Sequence, residues 1–297
     1  MIKNKDELFP IVIMTRNEGQ YLKRCVESIF ATVSIDVYLY IIDNNSDDQE
    51  HNIVLENIRN RYQENVTVKK NKKNLWILGL NKTLGKIKKQ HKSNYFILTD
   101  GDIDFSQCLL SSGCWLTYLV MKMEANIMAG KIGISLDWSI LESNSEMKEI
   151  LQQEKKLYNE NRKIDDLYIS AVDTTVAIYR WDWSIETTGF FYPDQMRYLR
   201  PELYSCRTSR DIKVKHLGWE KYLDKSISQR NINSKVFCFT IVGGTIKKEI
   251  LVQASRTHQI FHISTSKLFS VLWYFRRYFK LLIYFMTKGR RGFDGQS

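Results

Sequence analysis

Over the first hundred residues, short apolar runs alternate with stretches of helical spacing. Ile11 to Thr15, behind Pro10, is a β-branched run, and Val37 to Ile42, Val66 to Val68 and Tyr95 to Thr99 repeat the pattern. Between them Leu22, Val26, Ile29 and Phe30 recur at helical spacing within 20–30, and Ile53, Leu55, Ile58 and Tyr62 do so in the next segment. Gly79 to Lys89 reads as a third helix. Three of the strand-like runs end abruptly in polar residues: Arg16-Asn17-Glu18-Gly19, Asp43-Asn44-Asn45-Ser46-Asp47-Asp48 and Asp100-Gly101-Asp102. Strands alternating with helices predict an α/β fold with a mainly parallel central sheet flanked by helices. Such sheets bind ligands at the carboxyl ends of their strands, so the three polar clusters are expected to converge on one edge.

Farther along, Lys131 to Leu136 reads as a strand and Glu146 to Arg162 as a charged helix. Ile169 to Tyr179 reads as a strand broken by Asp173-Thr174-Thr175, and Val236 to Val242 as another strand. From Lys267 to Lys288, Leu268, Phe269, Leu272, Phe275, Phe279, Leu282 and Ile283 recur at helical spacing. Arg276, Arg277 and Lys280 interrupt that stretch and argue against a transmembrane span, leaving an interfacial helix or one packed on the protein. The expected division is an α/β domain over 1–225, in halves at 8–105 and 106–225, and a C-terminal amphipathic extension over 226–297.

Composition adds two constraints. The 297 residues are 43% hydrophobic and 26% charged with 3 prolines, ordinary for a folded globular chain and unlike a disordered one. The formal net charge of +11 favours anionic partners: nucleic acid, acidic headgroups or phosphorylated small molecules. Its clusters are Lys69, Lys70, Lys72 and Lys73, and then Arg276, Arg277, Lys280, Lys288, Arg290 and Arg291 among aromatics. Five scattered cysteines without a CxxC pair suggest neither a disulfide framework nor a zinc site. The segment MIKNKDELFP lacks the apolar core of a signal peptide, so a cytoplasmic protein is expected. If 267–291 meets an anionic membrane, the place is peripheral, on its inner face.

The chemistry is concentrated in Thr99-Asp100-Gly101-Asp102-Ile103-Asp104, three carboxylates within five positions at a strand end, with a glycine for the turn. Carboxylates so placed suit Mg²⁺ or Mn²⁺, which bind through one or two of them plus substrate phosphates. Alone, the triplet reads equally as an Asp-rich cap of the next element, and Asp43-Asn44-Asn45-Ser46 as an Asx turn.

Taken in order, these pieces resemble family 2 glycosyltransferases of the GT-A (Rossmann-like) fold. The resemblance runs from Pro10-Ile-Val-Ile-Met-Thr-Arg-Asn-Glu18 through Ile-Ile-Asp43-Asn-Asn-Ser46, Asn74 to Asn81 and Leu-Thr-Asp100-Gly-Asp102. It continues at Ala-Val-Asp173-Thr-Thr-Val-Ala-Ile-Tyr-Arg180 and ends at His216-Leu-Gly-Trp219, covering about residues 10 to 220. It implies a nucleotide pocket lined by Thr15, Asn17, Glu18, Asp43, Asn44, Asn74, Gly79, Asp100 and Gly101. It also implies a metal, Mn²⁺ or Mg²⁺, on Asp102 and His216, and inverting transfer from a nucleotide-sugar donor to a glycan or lipid-linked acceptor in surface polysaccharide synthesis.

An inverting enzyme of this kind needs a carboxylate base for the acceptor hydroxyl. The Glu-Asp pair that many relatives carry before an arginine-rich helix is missing. Asp173 is the first candidate, with Asp194 and Glu202 in reserve. Trp219 offers a face for a sugar ring, or else belongs to the core. Two other readings stand beside transfer. A nucleotidyltransferase would need a glycine-rich basic loop where Arg16-Asn17-Glu18-Gly19 stands, and a nucleic-acid module would rest on the basic aromatic C-terminus without a recognisable motif.

Overall fold

The four apolar runs become strands β1 (Phe9–Thr15), β2 (Val37–Asp43), β3 (Val66–Lys70) and β4 (Tyr95–Asp100), separated by helices α1 (Gly19–Thr32), α2 (Gln49–Arg61) and α3 (Leu80–Lys88). The computed structural model describes residues 4–74, 80–110, 113–172, 175–181, 203–223, 229–246 and 248–288. After β4 come β5 (Ile103–Asp104), a hairpin of β6 (Leu109–Leu110) and β7 (Gly113–Cys114), α4 (Trp115–Ala125), β8 (Ala129–Gly133) and β9 (Ser135–Leu136). Helices α5 (Ser139–Ser143) and α6 (Lys148–Lys155) precede β10 (Lys163–Ile164), β11 (Leu167–Ile169), β12 (Val176–Arg180), β13 (Tyr204–Arg207) and β14 (Lys213–His216). The remaining helices are α7 (Gly218–Leu223), α8 (Gln229–Ile241), α9 (Lys248–Gln253) and α10 (Arg256–Lys288). Contacts divide the chain into two units, Met1–Trp219 and Glu220–Ser297.

In the first unit nine of the described strands make one sheet, in the order β10-β11-β13-β8-β12-β4-β1-β2-β3. The four strands β4-β1-β2-β3 are parallel, as expected. Beyond them β12 runs antiparallel to both β4 and β8, so the far half of the sheet is mixed. Both faces of the sheet are covered at β1, β2 and β4, which is why these strands read as unbroken apolar runs rather than alternating ones, while the edge strand β3 is partly exposed. Ile11, Ile13, Leu39, Ile41, Ile97 and Leu98 are fully buried, and α1 packs with Leu22, Cys25, Val26 and Ile29 inward. Each such side chain contributes about 1.5–3 kcal/mol by leaving water.

The register sets the site. Thr15 lies opposite Asp43 across β1 and β2, and Met14 opposite Asp100 across β1 and β4, so the three polar strand ends share one edge. A smaller sheet, β5-β14-β9, stands beside it, with His216 paired to Ile103.

Four expectations change. The run 236–242 is not a strand but the end of α8: Val236 and Thr240, one turn apart, are fully buried, and Thr240 Oγ1 donates to the Val236 carbonyl. Its partner is α10, against which Phe237 stacks on Phe261. The stretch 131–136 is split between β8 and β9, which belong to different sheets. The helix expected over 146–162 is shorter, Lys148–Lys155, and α10 begins eleven residues earlier than the apolar stripe. Helix α4, which no expectation included, buries Trp115, Leu116, Leu119 and Met123.

Candidate active site

Strand β4 delivers Asp100 to the sheet edge, and Gly101 turns the chain so that Asp102 follows at once. A side chain at Gly101 has no room: its Cβ would stand 2.6 Å from Glu18 Oε2 and 2.9 Å from Thr15 Oγ1. The β5/β14 pairing then brings in a residue more than a hundred positions away. Leu217 donates its N–H to the Asp102 carbonyl at 2.8 Å, and His216 Nε2 lies 3.8 Å from Asp102 Oδ1. One donor atom each from Asp100, Asp102 and His216 lie within 4.8 Å of one another, a group positioned to bind a metal. Gly218 leaves space for this cluster, since its Cβ would overlap Asp102 Oδ2 and meet His216 Cε1 at 2.8 Å. Two carboxylates and an imidazole around such a cradle fit a divalent cation of the Mn²⁺ type, with the carboxylates equally suited to Mg²⁺.

Asp104, the third carboxylate of the run, turns elsewhere. It is fully buried and pairs with Arg24 of α1 at 2.8 Å, so it anchors the turn to the helix rather than joining the cluster. Cys25, on the same helix, approaches the Asp100 carbonyl at 3.8 Å; burial, with Asp102 and Glu18 adding to it, pushes its thiol well above the usual range and keeps it protonated.

The loops after β1 and β2 interlock. Thr15 Oγ1 donates to Glu18 Oε2 at 2.8 Å. Asn17 sits at φ 54, a left-handed conformation that asparagine tolerates, and its side chain clamps the second loop. Its Oδ1 accepts from Asp47 and Asp48 N–H at 3.0 and 3.2 Å, its Nδ2 donates to Asp47 Oδ1 at 2.7 Å, and its own N–H donates to Ser46 Oγ. Asp43 is fully buried, accepting from the Ser46 hydroxyl and N–H, with His51 Nε2 at 3.4 Å and Lys70 Nζ at 4.0 Å. Burial pushes its carboxyl up, but the contacts from His51 and Ser46 outweigh this and hold it below the ordinary carboxylate range. Asn44 is tied to Thr15 through its N–H and to Asn71 through its side chain.

Among the residues the sequence singles out, Thr15, Asn17, Glu18, Asp43, Asn44, Asp100, Gly101, Asp102 and His216 thus occupy one edge. Asn74 is half-buried in the loop beyond β3. Trp219 is buried with its ring 5.2 Å from that of His216, bracing the imidazole. Gly79, Asp173, Asp194 and Glu202 lie outside the described residues; Thr175, two positions after Asp173, accepts the Asp100 N–H on its carbonyl at 2.9 Å. Three contributors escaped the sequence reading: Gly218, Arg24 and His51. The spacing of Asp48 and His51 is that of a helix cap, and nothing in it signals that the ring points inward.

The family model described as "Glycosyl transferase family 2" matches residues 11–183, more than half of the chain. The chain belongs to this glycosyltransferase family. Membership decides against both the nucleotidyltransferase and the nucleic-acid readings, and the α/β architecture is the GT-A arrangement expected of it. Solved structures similar to this glycosyltransferase include the mannosyltransferase PcManGT of Pyrobaculum calidifontis in complex with GDP-Man and Mn²⁺, at 12% identity and TM-score 0.47, covering 89% of this chain and 75% of that one. GalNAc-T7 with UDP, GalNAc and Mn²⁺ follows at 13% identity and TM-score 0.48, over 72% of this chain and 44% of that one. The S. aureus TarS fragment 1–349 is similar at 13% identity and TM-score 0.42, over 86% and 71%. A comparison with curated protein sequences finds no match.

Proposed function

We propose that this glycosyltransferase moves a sugar from a nucleotide-diphosphate sugar to a glycan or lipid-linked acceptor, with inversion, in the building of a surface polysaccharide such as lipopolysaccharide or capsule. The observation that carries the reading is the cluster of Asp100, Asp102 and His216 on the same strand edge as the interlocked loops at 15–18 and 43–46. Asp102 and His216 would hold Mn²⁺ or Mg²⁺, with Asp100 close to the ribose or the metal. A bound cation supplies positive charge against the departing diphosphate. The chain's own part is orientation. Thr15, Asn17, Glu18, Asp43, Asn44, Asn74, Gly79 and Gly101 line the nucleotide, and Trp219 stands beside His216 on the acceptor side. Asp173 takes the proton from the acceptor hydroxyl as the anomeric carbon is attacked, with Asp194 as the alternative base. The enzyme works in the cytoplasm, peripheral to the inner face of a membrane that 267–291 contacts.

Thermal melting with UDP, GDP, CDP and dTDP, each with and without Mn²⁺, tests the reading. At a hundredfold excess over Kd, binding adds about 2.7 kcal/mol, a rise of roughly 5–10 °C. The rise is expected for at least one nucleotide, only with metal, and not in Asp102→Ala. Equal protection without metal refutes the assignment.

A further inference from the structure

We propose that His51 is a positioning residue of the donor site, a neutral imidazole whose two nitrogens keep the Asp43 carboxylate and the Glu18-Gly19 turn in register with each other. The proposal rests on the reading above of what that edge binds.

His51 is fully buried in the first turn of α2, where its backbone N–H donates to Asp48 Oδ1 at 2.7 Å. Its Nδ1 accepts two backbone bonds, from the N–H of Glu18 and of Gly19, both at 3.0 Å. A ring nitrogen that accepts N–H bonds carries no proton, so the proton of the neutral ring sits on Nε2. Nε2 faces Asp43 Oδ1 at 3.4 Å, too long for a well-formed hydrogen bond, and among the described residues it has no other polar partner. One side of the ring therefore addresses the carboxylate at the end of β2. The other fixes the backbone of Glu18, whose side chain accepts from Thr15 and lies against Gly101 of the acidic motif. Ser46 Oγ makes a parallel link, accepting the Asn17 N–H and donating to Asp43, but only His51 reaches the Glu18 and Gly19 N–H groups as well as facing that carboxylate. A buried ring that only filled space would not need its two nitrogens turned to two different segments, the Glu18-Gly19 turn more than thirty residues before it in sequence and the carboxylate at the end of β2.

The two roles separate by substitution. Asparagine places its carbonyl oxygen where Nδ1 stands, and glutamine its amide nitrogen where Nε2 stands, so each variant keeps one contact and loses the other. The full chain is titrated calorimetrically with UDP, GDP, CDP and dTDP and the matching monophosphates, with and without Mn²⁺. His51→Asn is expected to weaken mono- and diphosphates alike, by about tenfold, because Asp43 loses the imidazole N–H beside it and keeps only the Ser46 donors and the distant Lys70. His51→Gln is expected to leave monophosphates within about twofold and to remove most of the Mn²⁺-dependent gain, because the turn at Glu18 is released. Equal losses in both variants, or none in either, overturn the proposal. Nitrogen-15 spectra of histidine-labelled wild type test it without any variant: protonated Nε2 and bare Nδ1 are expected for His51, and a protonated Nδ1 overturns it. If the wild type binds none of the nucleotides, the functional reading falls on its own, whatever the tautomer.

Discussion

At Asp43 two opposing effects meet on one carboxylate. Burial raises its pKa from 3.8, and contacts from His51 and Ser46 lower it further than burial raises it. A depressed folded-state pKa stabilises the fold above the unfolded value, and that contribution is lost as pH falls through the folded pKa. Asp43→Asn is therefore expected to cost about 1–3 kcal/mol at neutral pH, and the gap from wild type to narrow as pH drops below about 4. Urea unfolding at a series of pH values measures this; a gap constant with pH would mean that the charge contributes nothing. Gly218 gives a second prediction. A methyl there overlaps Asp102, so Gly218→Ala is expected to abolish the Mn²⁺-dependent melting rise at an intrinsic cost of about 1–3 kcal/mol. A calorimetric Mn²⁺ titration that matches wild type would refute it. These two positions mark what was legible in the sequence. Asp43, Asp100 and Asp102 stand at the ends of recognisable strands, and their chemistry is visible in their type. Gly218 and His51 matter through what approaches them from distant segments, which only the β5/β14 pairing and the interlocked loops reveal.

Elements were legible where an apolar run was bounded by polar turn residues or where a helical stripe repeated over several turns. The parallel half of the sheet follows from four apolar runs, of which β1, β2 and β4 are covered on both faces and the edge strand β3 is partly exposed. Misreadings fall where a short apolar run is all there is: 236–242 carries β-branched and aromatic residues yet packs as a helix, because the long α10 supplies a face for Val236 and Thr240. The end of α4 shows how one element stabilises another. Arg180 of β12 donates to the Met123 and Asn126 carbonyls at 2.6 and 3.3 Å and to the Ala129 carbonyl at 2.7 Å, capping the exposed end of that helix and its junction with β8. Arg180→Met keeps the stem and removes the donors. It is expected to cost about 1.5–3 kcal/mol and to speed hydrogen exchange in the last turn of α4 and in β8 before other strands respond. Uniformly faster exchange would show a global effect instead.

Across the whole molecule the excess of positive charge is uneven. Residues 256–288 hold six Lys and Arg and neither Asp nor Glu. On α10 the side chains of Leu268, Leu272, Phe275, Phe279, Leu282 and Met286, spaced by alternating steps of four and three, are each more than half exposed. Trp273 instead is buried, its Nε1 donating to the Ile241 carbonyl at 2.7 Å, so the helix has an inward side and an apolar outward seam. Among the described residues no helix is long and apolar enough to cross a membrane. A seam of this kind paired with a second copy of itself would bring cation against cation, whereas an anionic lipid surface accepts both the apolar face and the charge. Binding of the full chain to vesicles containing phosphatidylserine, followed by co-sedimentation, is the measurement. Each cation near the surface is worth about 1 kcal/mol, so Lys267→Gln together with Arg276→Gln is expected to weaken binding by roughly 30-fold, with uncharged phosphatidylcholine vesicles weaker still and high salt weakening the wild type. Phe275→Ser with Phe279→Ser is expected to abolish what survives in salt, since that remainder is apolar burial. Binding indifferent to both lipid charge and these aromatics would leave the seam to a protein partner.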